Sequence, residues 1–241
     1  MLNLSIKKTL LTFTFLICLT TFYGFEARFE APVERMEAAA AAAAAHPEAL
    51  ASELLSEGEY AISAYDNLIR RVSAEAGNDW RLMSAIAYHE SRFTPDIVSS
   101  RGAKGLMQIM PVVARQFNVP QEQVLDPETN VRLANLLFNK IAQTLRLPAS
   151  TSLEDRMSLI LASYNGGIGH VSDARRLARY YGENPNSWAV VSRYLELKAD
   201  PAYYEHEVVK CGRFTGYGQT RAYVHDVMKR YNKYCAITGS I

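Results

Sequence analysis

Cysteine is nearly absent from this chain: Cys18, Cys211 and Cys235 are the three in 241 residues. No CxxC or paired-histidine spacing accompanies them, so the usual zinc patterns are excluded. The five histidines are scattered. His89 abuts Glu90, but the run reads HESRF rather than HExxH, so a zinc protease is not supported. A serine or cysteine nucleophile elbow is also missing. Neither sign of charge dominates: 26 Lys and Arg face 25 Asp and Glu, for a net charge of +1. That leaves no basic stripe for nucleic acid and little field to steer an anionic partner. Strand-like alternation is not sustained anywhere and no internal repeat is visible, which points to a mainly α chain.

What is present is a chain that is 49% hydrophobic, enough to bury one good core at this length. Fourteen tyrosines stand against nine phenylalanines. Tyrosine offers a stacking face with a hydroxyl, useful toward carbohydrate, and is equally ordinary half-buried packing.

Residues 1–25 carry Lys7 and Lys8, then an apolar run from Thr9 to Phe25. A basic start before a hydrophobic segment is the shape of a secretory signal, so the chain is expected to be exported. Phe22 and Phe25 make a poor cleavage site, which leaves a retained membrane anchor as the other option. Ile17 before Cys18 argues against a lipid-attachment site. Residues 26–64, with the alanine run Ala38 to Ala45, read as a helical or frayed stalk, because alanine favours helix yet buries little.

The folded domain is expected over 65–241. Tyr65 to Ala76 has helical periodicity and ends at Gly77; Asn78 or Asp79 then caps a second helix. In that helix Trp80, Met83, Ala87 and Glu90 recur in helical steps, which puts a glutamate on an apolar stripe. Gly102 to Pro111 reads as a short irregular or β-like turn, followed by a short helix to Phe117. Asp126-Pro127 starts a helix to about Leu145, and Ser152 caps another over Met157 to Tyr164 that stops at Gly166-Gly167. Ile168 to Tyr181 carries Arg175, Arg176 and Arg179, read as a solvated basic face. Trp188 to Leu197 is helical, Pro201 to Tyr217 irregular, and Thr220 to Tyr234 the last helix.

Burial and the negative end of the helix dipole both raise the pKa of Glu90, as a general acid for a poor leaving group requires. The competing reading turns Glu90 outward to pair with Arg92 or a neighbouring Lys or Arg. Gln108 offers a bidentate amide to a ligand, or is satisfied by the turn backbone. Tyr164 and Asn165 sit where two glycines let a backbone approach closely, and Tyr164 could steady the Glu90 carboxyl or simply cap the core. Tyr223 alone favours packing.

Glu90-Ser91, Gly105-Leu106-Met107-Gln108, Ser163-Tyr164-Asn165-Gly166-Gly167 and Thr220-Arg221-Ala222-Tyr223-Val224 follow the motif order of one family. Over roughly 65–235 the chain resembles the catalytic domain of the lytic murein transglycosylases, the soluble-lytic-transglycosylase (SLT) family. Within it the chain is most similar to the membrane-bound F-type branch, with that branch's solute-binding-protein-like module expected to be missing.

The resemblance implies a lysozyme-like fold, no cofactor and no metal. It implies cleavage between N-acetylmuramic acid and N-acetylglucosamine in peptidoglycan strands, by a monomer in the periplasm or cell envelope. Glu90 would protonate the glycosidic oxygen, then take the proton of the muramic acid C6 hydroxyl as it closes on C1 to a 1,6-anhydro sugar. One carboxyl suffices because the substrate supplies its own nucleophile, whereas ordinary glycosidases need two. By the same resemblance Ser91, Met107 and Gln108 would line the sugar cleft, and Asn165 would bind substrate. Tyr164 would hydrogen-bond Glu90 and Tyr223 would form the far wall.

Gln219 stands where the family often has glutamate, and Ser163 where it has alanine. The alternatives are a lysozyme-type hydrolase using Glu90 with an acid such as Asp96, and a non-catalytic wall-binding protein. In an oxidising compartment Cys211 and Cys235 could form a disulfide, provided the segment before the last helix doubles back along it.

Overall fold

Capping side chains decide where the helices begin. The computed structural model describes residues 62–239, so the signal or anchor at 1–25 and nearly all of the stalk at 26–64 lie outside the described residues. Helix α1 (Asp66–Glu75) ends ahead of Gly77, whose positive φ of 71° reverses the chain. Helix α2 (Trp80–Ser91) starts at Asp79, whose carboxylate accepts from the Arg81 N–H. Its apolar stripe is buried as the spacing predicts, with Met83, Ile86 and Ala87 fully enclosed. Arg92 then adopts a left-handed conformation and closes the helix.

A turn region follows in which Lys104 and Ile109 exchange backbone hydrogen bonds and Val98 pairs with Lys104; these are isolated bridges and not a sheet. The short helix α3 (Pro111–Gln116) leads to α4 (Pro127–Leu145), capped by Asp126 onto the Thr129 N–H with proline at its start. Ser152 accepts from the Asp155 N–H to begin α5 (Leu153–Gly166), and Gly167 separates it from α6 (Ile168–Tyr180). Helices α7 (Trp188–Leu197), α8 (Pro201–Tyr204) and α9 (Tyr217–Thr238) complete the described residues. Among them the structure is mainly α, with no strand beyond the two bridges. Helix α5 lies centrally, against α4, α6 and α9, while α9 also packs along α2. Leu159, Leu161, Leu106, Met107 and Val227 are fully buried between them, each contributing roughly 1.5–3 kcal/mol.

Several expectations are corrected. Pro201 begins a one-turn helix because Asp200 caps the Ala202 N–H, and the last helix starts earlier and runs further than Thr220 to Tyr234. The face of α6 is not simply solvated. Arg175 is buried and donates to the carbonyls of Leu145 and Pro185 and to Asn186. Arg176 binds Asp173 and the Val208 carbonyl, which leaves Arg179 exposed. Cys211 and Cys235 are both free. Asp173 holds the N–H of Cys211 beside α6, whereas Cys235 lies eighteen residues past Tyr217, about 27 Å along α9.

Asn130 of α4 fixes the turn. Fully buried, it accepts from the Met107 N–H (2.7 Å) and donates to the carbonyls of Lys104 (2.9 Å) and Val124 (2.7 Å). Gly105 has φ +76°, and a Cβ there would lie 2.5 Å from the Asn130 amide nitrogen. Gly77 has a similar φ with open space around it. Gly77→Ala should therefore cost about 1 kcal/mol, from backbone strain alone. Gly105→Ala should cost at least twice that, about 2–4 kcal/mol. Urea unfolding of both variants checks this; equal losses would mean Asn130 does not clamp the turn.

Candidate active site

The end of α2 is tied to the turn from several directions. The Ser91 hydroxyl donates to the Leu106 carbonyl (2.8 Å), lies 3.1 Å from that of Ala87, and accepts from the Thr94 N–H. From α5 the Tyr164 hydroxyl donates to the Met107 carbonyl (3.0 Å), which no backbone N–H reaches among the described residues. Gln108, at φ +48°, donates its amide to the carbonyls of Gly105 (3.0 Å) and Ile97 (3.3 Å). Those bonds help to hold a conformation that disfavours side chains other than glycine.

Helix α9 closes the other side. Thr220 donates to the Asn165 side-chain oxygen (3.0 Å). Gly166 allows that approach, because a Cβ on it would meet the Thr220 hydroxyl at 2.8 Å and the Phe214 ring at 3.2 Å. Between α2, α5 and α9 opens a cleft of about 300 Å³, lined by His89, Glu90, Asn165, Gln219, Ala222, Tyr223 and Asp226.

Glu90 is half-buried on this cleft. Burial pushes its carboxyl up to about 7, and the Tyr223 hydroxyl opposes that only in part. Arg92 does not pair with it; its guanidinium lies 4.1 Å over the Tyr88 ring. The Tyr223 hydroxyl is buried beside Glu90, close enough to influence its proton. It does not reach full hydrogen-bond geometry with any protein atom among the described residues. Burial raises Tyr164 as well, with the nearby Glu90 adding to it, so its phenol stays protonated.

Of the site residues expected from sequence, Glu90, Asn165 and Tyr223 meet in the cleft. Ser91, Met107 and Gln108 do not line it. Ser91 is 5% and Met107 0% exposed, and the Gln108 amide is satisfied by the turn, so they hold the turn against the helix end. Tyr164 is near Glu90 but bonds Met107 instead, and the hydroxyl that approaches the carboxyl is Tyr223's. Asp96 is exposed and outside the cleft lining. Sequence reasoning missed His89 and Asp226 as lining residues. The signal for Asp226 was present: Gln219, Ala222 and Asp226 follow steps of three and four on one helix face. Among the described residues no group of three His, Cys, Asp or Glu converges as metal ligands would.

Residues 67–186 match the family model described as the transglycosylase SLT domain. The chain belongs to the transglycosylase SLT domain family. Membrane-bound lytic murein transglycosylase F of Alcanivorax borkumensis is 34% identical over 168 residues, covering 70% of this chain and 34% of that protein. Its counterpart in Shewanella pealeana is 36% identical over 177 residues, covering 70% and 35% respectively. The 70 kDa soluble lytic transglycosylase of Escherichia coli superposes with a TM-score of 0.48 at 25% identity, over 73% of this chain and 25% of that one. The chain spans about a third of the length of the curated relatives it matches. The span matched by the SLT family model holds Glu90 and Asn165 and ends before α9, so Gln219, Tyr223 and Asp226 enter the site from beyond it.

The raised Glu90 has a consequence for stability. An unfolded glutamate ionises near 4.5, the folded one near 7. Between those values the folded state binds more protons, so stability falls as pH rises, and the loss is complete above about 7. Glu90→Gln removes the penalty. At pH 8 it should exceed wild type by on the order of 2–3 kcal/mol, and at pH 4 the gap should vanish. Urea melts at the two pH values check this; a gap independent of pH would show that Glu90 is not desolvated.

Proposed function

We propose that this SLT domain is a lytic transglycosylase, cleaving the β-1,4 bond from N-acetylmuramic acid to N-acetylglucosamine in peptidoglycan with formation of a 1,6-anhydro end. The observation that carries the reading is a carboxyl poised near pH 7 in a polar cleft, beside a buried hydroxyl with no full protein partner. A sugar oxygen is a poor leaving group and needs a proton as the bond breaks. Glu90 gives that proton, and the freed carboxylate then accepts the C6 hydroxyl proton while the C6 oxygen bonds to C1. The proton count closes without water, and Glu90 ends as it began.

Around that exchange, the Tyr223 hydroxyl serves the carboxyl in both protonation states, accepting from the acid and donating to the carboxylate. Asn165, its oxygen fixed by Thr220, offers its NH2 to a substrate acetamido or hydroxyl group. Ser91, Met107, Gln108 and Tyr164 act at one remove, by keeping the helix end that carries Glu90 against the turn. Gln219 puts a neutral amide on the cleft wall where the family often places glutamate. A hydrolase relying on Asp96 has no support, because that carboxylate does not reach the cleft. The names of the relatives and the basic, then apolar, N-terminal residues support export to the cell envelope, with association at the membrane through residues 1–25.

Digestion of purified sacculi with wild type and Glu90→Gln tests the reading. Wild type should release anhydro-ended fragments, and the variant should lose at least about 1,000-fold in rate while remaining folded by circular dichroism. Reducing ends would make the protein a hydrolase, and full activity in the variant would remove Glu90 from the chemistry.

A further inference from the structure

Helix α9 presents Gln219, Ala222 and Asp226 to the cleft. The first is neutral and the second small; the third ends the stripe in a carboxylate. Asp226 is held below the usual carboxylate range, first by its hydrogen bond from His225 and less by His89 and Lys229. Its two close partners are both imidazoles: His225 Nδ1 at 3.0 Å and His89 Nε2 at 3.9 Å. Burial lowers the pKa of His89. Arg92 and Arg230 lower it further against the opposing pull of Asp226, so His89 is uncharged at neutral pH.

The stronger cations nearby are engaged or outward. The guanidiniums of Arg92 and Arg230 lie over the Tyr88 ring at 4.1 and 3.4 Å, and Lys229 is exposed. Among the described residues no Lys or Arg comes within ion-pair distance of Asp226. With Glu90 protonated, the cleft lining carries one negative charge and no positive one.

A neutral sugar does not call for that charge, and a substrate carboxylate would be repelled by it. We propose that Asp226 is a specificity-determining residue that receives the free ammonium of an uncrosslinked stem peptide, so that amine-bearing glycan strands are cleaved in preference to strands whose amines are blocked. The inference rests on peptidoglycan being the substrate. It adds a charge filter to that reading: the catalytic end of the cleft handles the sugar, and the far end of the α9 stripe reads the peptide.

The test uses soluble peptide-bearing glycan strands, either untreated or with their free amines acetylated, which alters the charge and little else. Acetylation should raise the wild-type KM about fivefold, the scale of one partly exposed ion pair, with kcat held. Asp226→Asn should start near the raised KM and not respond to acetylation, with its fold verified by circular dichroism. If the variant responds as strongly as wild type, or wild type treats both strands alike, Asp226 does not read the amine. If wild type releases no anhydro product from either strand, the transglycosylase reading itself fails and this inference falls with it.

Discussion

Taking the Glu90 carboxyl out of water makes its charged form costly, and the surrounding helices are arranged so that nothing compensates for the cost. No arginine or lysine is paired with it, and Tyr223 offers only a partial interaction. The carboxyl therefore keeps its proton up to about 7. In stability terms that is a loss, since a glutamine at the same place would suffer none of it at neutral pH. Such a penalty, at the wall of a polar cleft, supports the general-acid role proposed for Glu90.

The penalty is tolerable because the helix end that carries Glu90 is tied in place. Asn130 satisfies two backbone groups of the adjoining turn and the Val124 carbonyl, Ser91 reaches the Leu106 carbonyl, and Tyr164 reaches that of Met107. Ser91 and Tyr164 stand in the motifs that carry the family resemblance. Their side chains face inward and bond the turn backbone. Gly105 and Gly166 belong to the same scheme, since each permits an approach that a methyl group would block.

Delivering α9 to the cleft needs a second fixed point. Asp173 and Lys198 form an ion pair with both side chains fully buried. Burial works against the charge of Asp173, but Lys198 and the N–H groups of Lys210 and Cys211 outweigh it and hold the carboxyl low. That carboxylate anchors the segment after α8, and Phe214, a few residues on, packs against Gly166 and stacks on His170. The route from α8 to α9 is thus set by one buried charge. Removing Asp173 would leave the buried Lys198 without its carboxylate, whereas without Lys198 the Asp173 carboxylate keeps Arg176 and two N–H donors.

Much of the helical order was legible in the chain itself. Asp79, Asp126 and Ser152 cap where a short polar side chain precedes an apolar period, and Gly77 and Gly167 stop helices where a positive φ is required. The stripe through Trp80, Met83 and Ala87 also put Glu90 on the buried side. Local rules suffice for these because a cap or a period depends on neighbours within one or two turns. Which tyrosine serves Glu90, which motif side chains face inward, and that Asp226 shares the cleft are questions of how α9 lies against α2 and α5. Tyr164 and Tyr223 are chemically alike, and no spacing separates a hydroxyl that will find the Met107 carbonyl from one left beside a carboxyl. That distinction is made by contacts between residues more than fifty positions apart, and the tertiary fold alone brings them together.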